Sequence, residues 1–322
     1  MTIFLDEKAV TRLVGMKDAL EATEEVFREA GKGNVTNVPR VRAPLNEGTL
    51  RITAGVLNYR GYYGIKVSST TVFGHNAGRV FCLYKEEGGE LCAIVQVFAM
   101  GALRTGAASG VATRHLSNED SSVLGVIGSG RQARTQVEAI SLVRTIKEVR
   151  AFSRSPEKRA QFCRDIASRL GIETRPVETA QDAVARCDIV VTSTTSTAPV
   201  LLGQWLSPGT HINAIGANYE HRRELDSEAV ARAKFIATDD KDQVQYEATD
   251  LAAPVKEGRL RWDQVTPLGS VVSGLVNGRS SRDDITLFKS LGIAIEDVAL
   301  AIRAYEKATA MGIGVQLPKL SG

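Results

Sequence analysis

The stretch that most constrains this chain is Ser121-Ser-Val-Leu-Gly-Val-Ile-Gly-Ser-Gly-Arg-Gln-Ala133. Val123 to Ile127 is a short apolar run of the kind buried in a parallel sheet. It ends in Gly128-Ser129-Gly130, and a helix-compatible stretch follows from Arg131 to about Leu142. Strand, glycine turn and helix in that order predict a dinucleotide-binding βα unit. Gly128 allows the tight turn, Gly130 lets the backbone approach a pyrophosphate, and the small Ala133 lets helix and strand pack closely. Phosphates placed there meet free N–H groups and the positive end of the helix dipole. Glycine turns after strands are common in α/β proteins. The added weight comes from Glu148 to Phe152, a second strand candidate at the distance a βαβ unit requires.

That second strand speaks to the cofactor. In NAD-binding domains it usually ends in an acid that holds the ribose 2′-hydroxyl. Here it runs out as Ala151-Phe152-Ser153-Arg154-Ser155-Pro156, with Lys158 and Arg159 one turn on. The acid that would repel a 2′-phosphate is missing. Two hydroxyls and a guanidinium stand in its place, and Arg binds phosphate through paired hydrogen bonds. The bland alternative is a solvated basic helix start, which suits Lys158 and Arg159 better than Ser153 and Arg154. NADP(H) is therefore favoured over NAD(H).

The α/β pattern continues to about Leu287. It comprises a helix over Pro156 to Leu170, strands at Glu173 to Val177, Asp188 to Thr192, Thr210 to Ile215 and Lys234 to Thr238, and a helix over Thr179 to Arg186. The hydroxyl-rich Thr192-Ser-Thr-Thr-Ser-Thr197 follows a strand's carboxyl end, where ligands bind in such sheets. A polar surface turn is the competing explanation.

The N-terminal part differs. After a short strand at Ile3 to Leu5 and an amphipathic helix presenting Ala19, Leu20, Val26 and Phe27, strand-like segments follow one another at Val38 to Ala43, Thr49 to Ala54, Tyr62 to Ser68, Val80 to Lys85 and Glu90 to Val97. Glu86-Glu87-Gly88-Gly89 marks a hairpin. Strands without intervening helices predict a separate antiparallel or mixed sheet. Met100 to Leu116 reads as a helix rich in small residues, and Ile293 to Lys307 as a long helix. Within Leu103-Arg104-Thr105 the arginine can aim at an anion, although spacing alone favours a surface position.

Composition closes off other classes. A length of 322 residues suggests two domains, and a net charge of +3 is too small to argue for nucleic acid or a membrane surface. No apolar run reaches transmembrane length, and the first residues lack the pattern of a signal peptide. Cys82, Cys92, Cys163 and Cys187 lack metal-ligand spacing and read as reduced, mostly buried thiols of a cytoplasmic protein; with four scattered histidines, no metal site is expected.

Four stretches, Leu103-Arg-Thr-Gly-Ala107, Gly128-Ser-Gly-Arg-Gln132, His211-Ile-Asn-Ala-Ile-Gly-Ala-Asn218 and Phe288-Lys-Ser-Leu-Gly292, together resemble the ornithine cyclodeaminase/mu-crystallin family over essentially the whole chain. The resemblance implies an α/β fold with a Rossmann domain at 118–292. Beside it stands an α+β substrate-binding and dimerisation domain built from both chain ends, 1–117 and 293–322. It also implies a homodimer and chemistry at the C–N bond of an α-amino or α-imino acid.

Carried onto this sequence, the family pattern makes Arg104 the substrate-carboxylate ligand and Lys66 the proton donor or charge stabiliser. Burial can bring a lysine pKa toward neutrality, which suits that role. Arg40 is the best match for a further basic residue, with Arg42 as the alternative; Arg51 joins the substrate set although some members carry Glu there. Two arginines on one carboxylate would fix its plane and present the α-carbon to the nicotinamide. The cofactor set comprises Thr105, Gly128, Ser129, Gly130, Arg131, Gln132, Ser153, Arg154, Ser155, Lys158, Thr192, Ser193, Thr194, Thr195, Asn213, Ile215, Gly216, Ser290, Leu291 and Gly292.

One departure matters. Ornithine cyclodeaminases carry Asp where this chain has Asn218, and an amide is no base at neutral pH. Ornithine cyclodeamination is therefore disfavoured, and Asn218 is expected to orient substrate or water. The expected activity is NADPH-dependent reduction of a cyclic imino acid such as 1-pyrroline-2-carboxylate or 1-piperideine-2-carboxylate. The alternatives are an alanine-type amino-acid dehydrogenase or, disfavoured, an ornithine cyclodeaminase, and, from another class, a crystallin-like NADPH-binding protein without turnover. Phe73 to Asn76 depart from the family and are expected to shape substrate choice.

Overall fold

The computed structural model describes residues 2–71 and 78–318. Phe73 to Asn76, expected to shape substrate choice, lie outside the described residues. The chain divides into two compact units, one of Met1–Arg104 with Gly292–Gly322, the other of Thr105–Leu291.

The first unit opens with β1 (Ile3–Leu5), α1 (Glu7–Leu13) and α2 (Met16–Gly31), followed by β2 (Val35–Leu45), β3 (Gly48–Leu57), β4 (Tyr62–Thr71), β5 (Val80–Lys85) and β6 (Leu91–Gln96). The hairpin expected at Glu86 to Gly89 joins β5 to β6 as an antiparallel pair. α3 (Phe98–Leu116) starts two residues before the expected Met100, because Glu7 reaches across from α1 to accept the N–H groups of Phe98 and Ala99, the latter at 2.8 Å. Its first turn is capped by a carboxylate distant in sequence, a contact that periodicity does not encode.

The second unit carries β7 (Val123–Ile127), α4 (Arg131–Ser141), β8 (Glu148–Phe152), α5 (Pro156–Leu170), β9 (Glu173–Pro176), α6 (Ala180–Val184) and β10 (Ile189–Thr192). Then come β11 (His211–Ala214), α7 (Ser227–Arg232), β12 (Phe235–Thr238), α8 (Lys241–Glu247), α9 (Thr249–Lys256), β13 (Val265–Pro267), α10 (Leu268–Val272) and β14 (Thr286–Lys289). Its strands lie in the order β13-β12-β14-β11-β10-β7-β8-β9, every pair parallel. The order reverses direction beside β7, the strand leading into Gly128, and such reversals are where α/β sheets open a crevice.

The chain then returns to the first unit with α11 (Ala294–Met311) and β15 (Val315–Gln316). That unit's sheet runs β15-β1-β6-β5-β4-β3-β2, antiparallel except for the β1–β6 pair, so it is mixed. α11 lies on β3, the Cβ direction of Gly55 coming within 3.0 Å of the Ile295 nitrogen. Side chains of β3 that share a face with Gly55 therefore look onto α11.

The expected boundary at residue 117 is displaced. The units part inside α3, because its later half is bonded into the α/β unit: the Thr105 carbonyl accepts Gln136 Nε2 at 3.0 Å, Thr113 Oγ1 accepts Asn213 Nδ2 at 3.0 Å, and the Leu116 carbonyl accepts Arg279 Nε at 2.8 Å. Cys92, Cys163 and Cys187 are buried and Cys82 partly so, all as free thiols. Among the described residues no helix is long and apolar enough to cross a membrane, and no cluster of His, Cys, Asp and Glu could hold a metal ion.

Candidate active site

In the first unit, a basic patch grows from the register of three strands. Arg42 pairs with Arg51 across β2 and β3, Arg51 with Ser68, and Thr53 with Lys66 across β3 and β4. A bulge in β2 between Val38 and Val41 sets Pro39 and Arg40 together opposite Thr53. The extra residue changes the alternation, so that Asn37 before the bulge and Arg40 and Arg42 after it share the α11 face. Asn37 uses this to cap α11, its Oδ1 accepting the Ala294 N–H at 3.0 Å, while Arg40 Nη2 donates to the Gly292 carbonyl at 2.6 Å.

α11 answers with two carboxylates. Glu296 and Asp297 are fully buried. Lys66 Nζ is ion-paired with Asp297 Oδ2; Arg104 Nε donates to Asp297 Oδ1 at 3.3 Å and its Nη1 to Glu296 Oε2 at 3.3 Å. Burial pushes the Lys66 ammonium from 10.5 down to about 8, Arg104 and Arg40 pressing the same way and Asp297 resisting. Burial opposes charge on Asp297 too, yet Lys66 and Arg104 hold its pKa below the usual value. Gly292 has φ +73°, and a Cβ there would fall on the Arg104 guanidinium.

The plain alternatives for Lys66 and Arg104, a solvated strand residue and a surface arginine, do not hold. Their side chains are only 14% and 12% exposed. Glu296 and Asp297 escaped the sequence reading because acids in a helix's first turn normally face water beside the dipole. The available signal was the apolar run around them, Ile293 to Ile295 and Val298 to Ile302, which leaves the first turns of α11 no polar face.

The second unit contains the glycine turn. Gly128 has φ +120°, and a Cβ there would lie 2.5 Å from the Ser193 carbonyl oxygen, so only glycine fits. Gly130 is the N-cap of α4 and supplies no side-chain cap; a Cβ on it would meet nothing within 4 Å. Gly130 thus offers no side chain of its own to the first N–H groups of α4 and leaves the space beside it open, as a dinucleotide pyrophosphate requires. Ser129 Oγ is 2.9 Å from Ser153 Oγ, which bonds onward to the Ser155 carbonyl at 3.3 Å. Ser155 itself caps α5, receiving the Lys158 N–H at 3.2 Å. Arg154 and, beside it, Lys158 are exposed. Arg159, thought a surface residue, is buried, stacked over Phe152 and paired with Glu178 at 2.6 Å.

Other members of the cofactor set have their groups engaged inside the unit. Buried Glu224 accepts Thr192 Oγ1 at 2.9 Å, the Thr194 N–H at 2.5 Å and the Gly216 N–H at 2.7 Å, tying the loops after β10 and β11 together. Burial, with Asp250 beside it, raises the Glu224 pKa against the pull of Lys289. Asp239 holds Ser290 Oγ at 3.2 Å and the Leu291 N–H at 2.7 Å. Thr192 and Asn213 are completely buried, the first bonding Glu224 and the second Thr113. Ser193 Oγ and Gln132 Oε1 are buried polar atoms with no hydrogen-bond partner. Thr105 is buried, Ile215 is buried, Arg131 and Thr195 are exposed, and Asn218 is half-buried in the loop after β11. Glu224 and Asp239 were invisible in sequence because each sits among charged neighbours that read as surface.

A family model for the ornithine cyclodeaminase/mu-crystallin family matches residues 1–312. The chain belongs to the ornithine cyclodeaminase/mu-crystallin family. It is 35% identical to alanine dehydrogenase of Archaeoglobus fulgidus, with 98% of each chain covered. Among solved structures, the Δ1-pyrroline-2-carboxylate reductase of Thermococcus litoralis in complex with NADH and L-proline is 34% identical, covers 98% of this chain and 100% of its own, and superposes with a TM-score of 0.93. An archaeal alanine dehydrogenase dimer with bound NAD is also 34% identical at a TM-score of 0.93, over 98% of this chain and 99% of that one. The α/β fold of the family, with its parallel dinucleotide-binding sheet, is thus the fold of this chain.

Proposed function

We propose that this member of the family is an NAD(P)-dependent oxidoreductase of the C–N bond, reducing imino acids with NADPH, 1-pyrroline-2-carboxylate and 1-piperideine-2-carboxylate among them. The observation that carries the reading is the buried Lys66 between Asp297 and Arg104, an ammonium whose pKa is brought to about 8. A group near neutrality can give up a proton at working pH, as a general acid must. Arg104 and Arg40 hold the substrate carboxylate, and Lys66, directly or through a water, delivers the proton to nitrogen. Asn218 orients substrate or water through its amide. The nicotinamide, when bound, supplies the hydride.

Two guanidiniums on one carboxylate fix the plane of the imino acid, and a fixed plane presents one face of its C=N carbon. The Gly130 start of α4 and the open space beside it suit the pyrophosphate. Ser153 and exposed Arg154, with no acid at the end of β8, support NADPH, whereas the solved relatives named above carry NADH or NAD. The unit of both chain ends is proposed to bind substrate and to dimerise. Its β2–β4 sheet exposes Val38, Val41 and Val67 on the face away from α11, an apolar surface suited to a second copy.

Cofactor oxidation measured with cyclic imino acids, NADPH against NADH, tests the reading. Strong turnover with NADPH supports it; silence with every imino acid ends it. Likeness to the Archaeoglobus alanine dehydrogenase favours a second reading, reductive amination of a 2-oxo acid, which depends on free ammonium where reduction of a preformed ring imine does not.

A further inference from the structure

Inside the α/β unit, three completely buried side chains form a chain of bonds that ends at the carboxyl edge of the sheet. Lys289, the last residue of β14, pairs through Nζ with Asp250 Oδ2 on α9 at 3.0 Å. Asp250 Oδ1 accepts the N–H groups of Glu224 and Leu225 at 2.7 and 2.9 Å. The Glu224 carbonyl accepts the N–H groups of Val200 and Leu201 at 2.8 and 3.0 Å, so the backbone that carries this side chain is fixed on both sides. Its carboxylate is aimed at two loops. It takes Thr192 Oγ1 and the Thr194 N–H from the end of β10, and the Gly216 N–H from the end of β11. A Cβ on Gly216 would lie 2.4 Å from Glu224 Oε1 and 2.3 Å from the Thr194 carbonyl oxygen, so glycine is what lets the two loops close on the carboxylate.

For stability alone, apolar side chains would serve this core as well, because a buried ion pair seldom outweighs its desolvation cost. Directed bonds do what apolar packing does not: they hold two segments at one separation. The place of those segments gives the separation a use. In a sheet of this kind the pyrophosphate lies at the turn after the first strand and the adenosine ribose at the end of the second. Those strands are β7 and β8 here, and β10 and β11 lie on the other side of β7. The nicotinamide half of a dinucleotide therefore falls to the loops that Glu224 ties. Glu224 is completely buried, so it acts only through those loops.

We propose that Glu224, held from behind by Asp250 and Lys289, is the positioning residue for the nicotinamide half of the cofactor. This rests on the dinucleotide-dependent oxidoreductase reading and extends it to a residue outside the reacting groups. A fixed loop spacing sets one depth and one angle for the ring before substrate arrives.

The test uses the full chain, wild type and Glu224→Gln, a change that keeps the size of the side chain but turns an NH2 group toward the donors. Binding is measured for the reduced dinucleotide that the wild type prefers and for its adenosine half alone. That half is adenosine 2′,5′-bisphosphate in the case of NADPH and ADP in the case of NADH. Glu224→Gln should bind the dinucleotide about tenfold or more weakly, the factor expected of one charge-assisted hydrogen bond, and the adenosine half within about twofold of wild type. The kcat with 1-pyrroline-2-carboxylate should fall in step. Should Glu224→Gln not fold, Thr192→Val removes one of the carboxylate's bonds at nearly constant volume and should show the same split in smaller measure. Both affinities unchanged, or both lowered alike as a general loosening of the fold would give, overturns the proposal. The split is read without substrate, so silence with every imino acid overturns the reductase reading alone.

Discussion

Lys66 on β4 and Asp297 on α11, 231 residues apart in the chain, form an ion pair whose acid is completely buried. The pair couples proton chemistry to folding, since each charge offsets part of the burial cost of the other. Lys66 must be protonated to act as a donor, so kcat/KM should fall as pH rises through about 8. In Asp297→Asn the force holding the ammonium charged is gone, and that alkaline limb should move to lower pH. A pH–rate profile of the two proteins checks this; an unmoved limb would separate Lys66 from the rate.

Arg104→Ala should raise KM for the imino acid by about tenfold to a hundredfold, the loss of a charged hydrogen bond at roughly 1.5–3 kcal/mol. It also removes the ion pairs of Arg104 with Glu296 and Asp297 and keeps the Lys66–Asp297 pair. Breaking a buried pair costs about 3–5 kcal/mol, so the thermal midpoint should drop as well. Initial rates and calorimetry read the two effects separately.

The two glycines of the turn should fail differently. Gly128→Ala places a methyl against the Ser193 carbonyl at φ +120°, and a loss of folded protein is expected. Gly130→Ala meets no protein atom within 4 Å and should fold normally while binding cofactor poorly. Circular dichroism together with cofactor titration distinguishes them.

Arg154→Asp should reverse the cofactor preference. Losing one charged contact costs NADPH roughly 1.5–3 kcal/mol, while the new carboxylate can accept a ribose hydroxyl of NADH. Parallel kinetics with both cofactors read the switch. If the wild type already prefers NADH, the charge reading of Ser153 and Arg154 is wrong.

His211 is completely buried, and burial, with Arg279 adding to it, holds its pKa down at about 3 against 6.5. The unfolded chain binds the extra proton first, so stability should fall as pH drops from about 6.5 toward 3. His211→Gln should flatten that acid limb in denaturant titrations, with a weaker bond to Thr286 as its cost at neutral pH.

The features legible in sequence are those with a local cause. The glycine turn at Gly128 and Gly130 follows from backbone conformation, and the strand-turn-helix order from the alternation of apolar runs. The start of α3 and the division of the units were not legible, because Glu7 and Gln136 act on α3 from distant positions.

Short-range spacing of glycine, apolar and charged residues carries the parallel α/β sheet, its glycine turn and the family. Long-range packing encloses Arg104, turns Arg40 to the α11 face through a bulge, and brings Glu296, Asp297 and Glu224 inside. Burial and charge pairing depend on which distant segments pack together, and no local pattern records that.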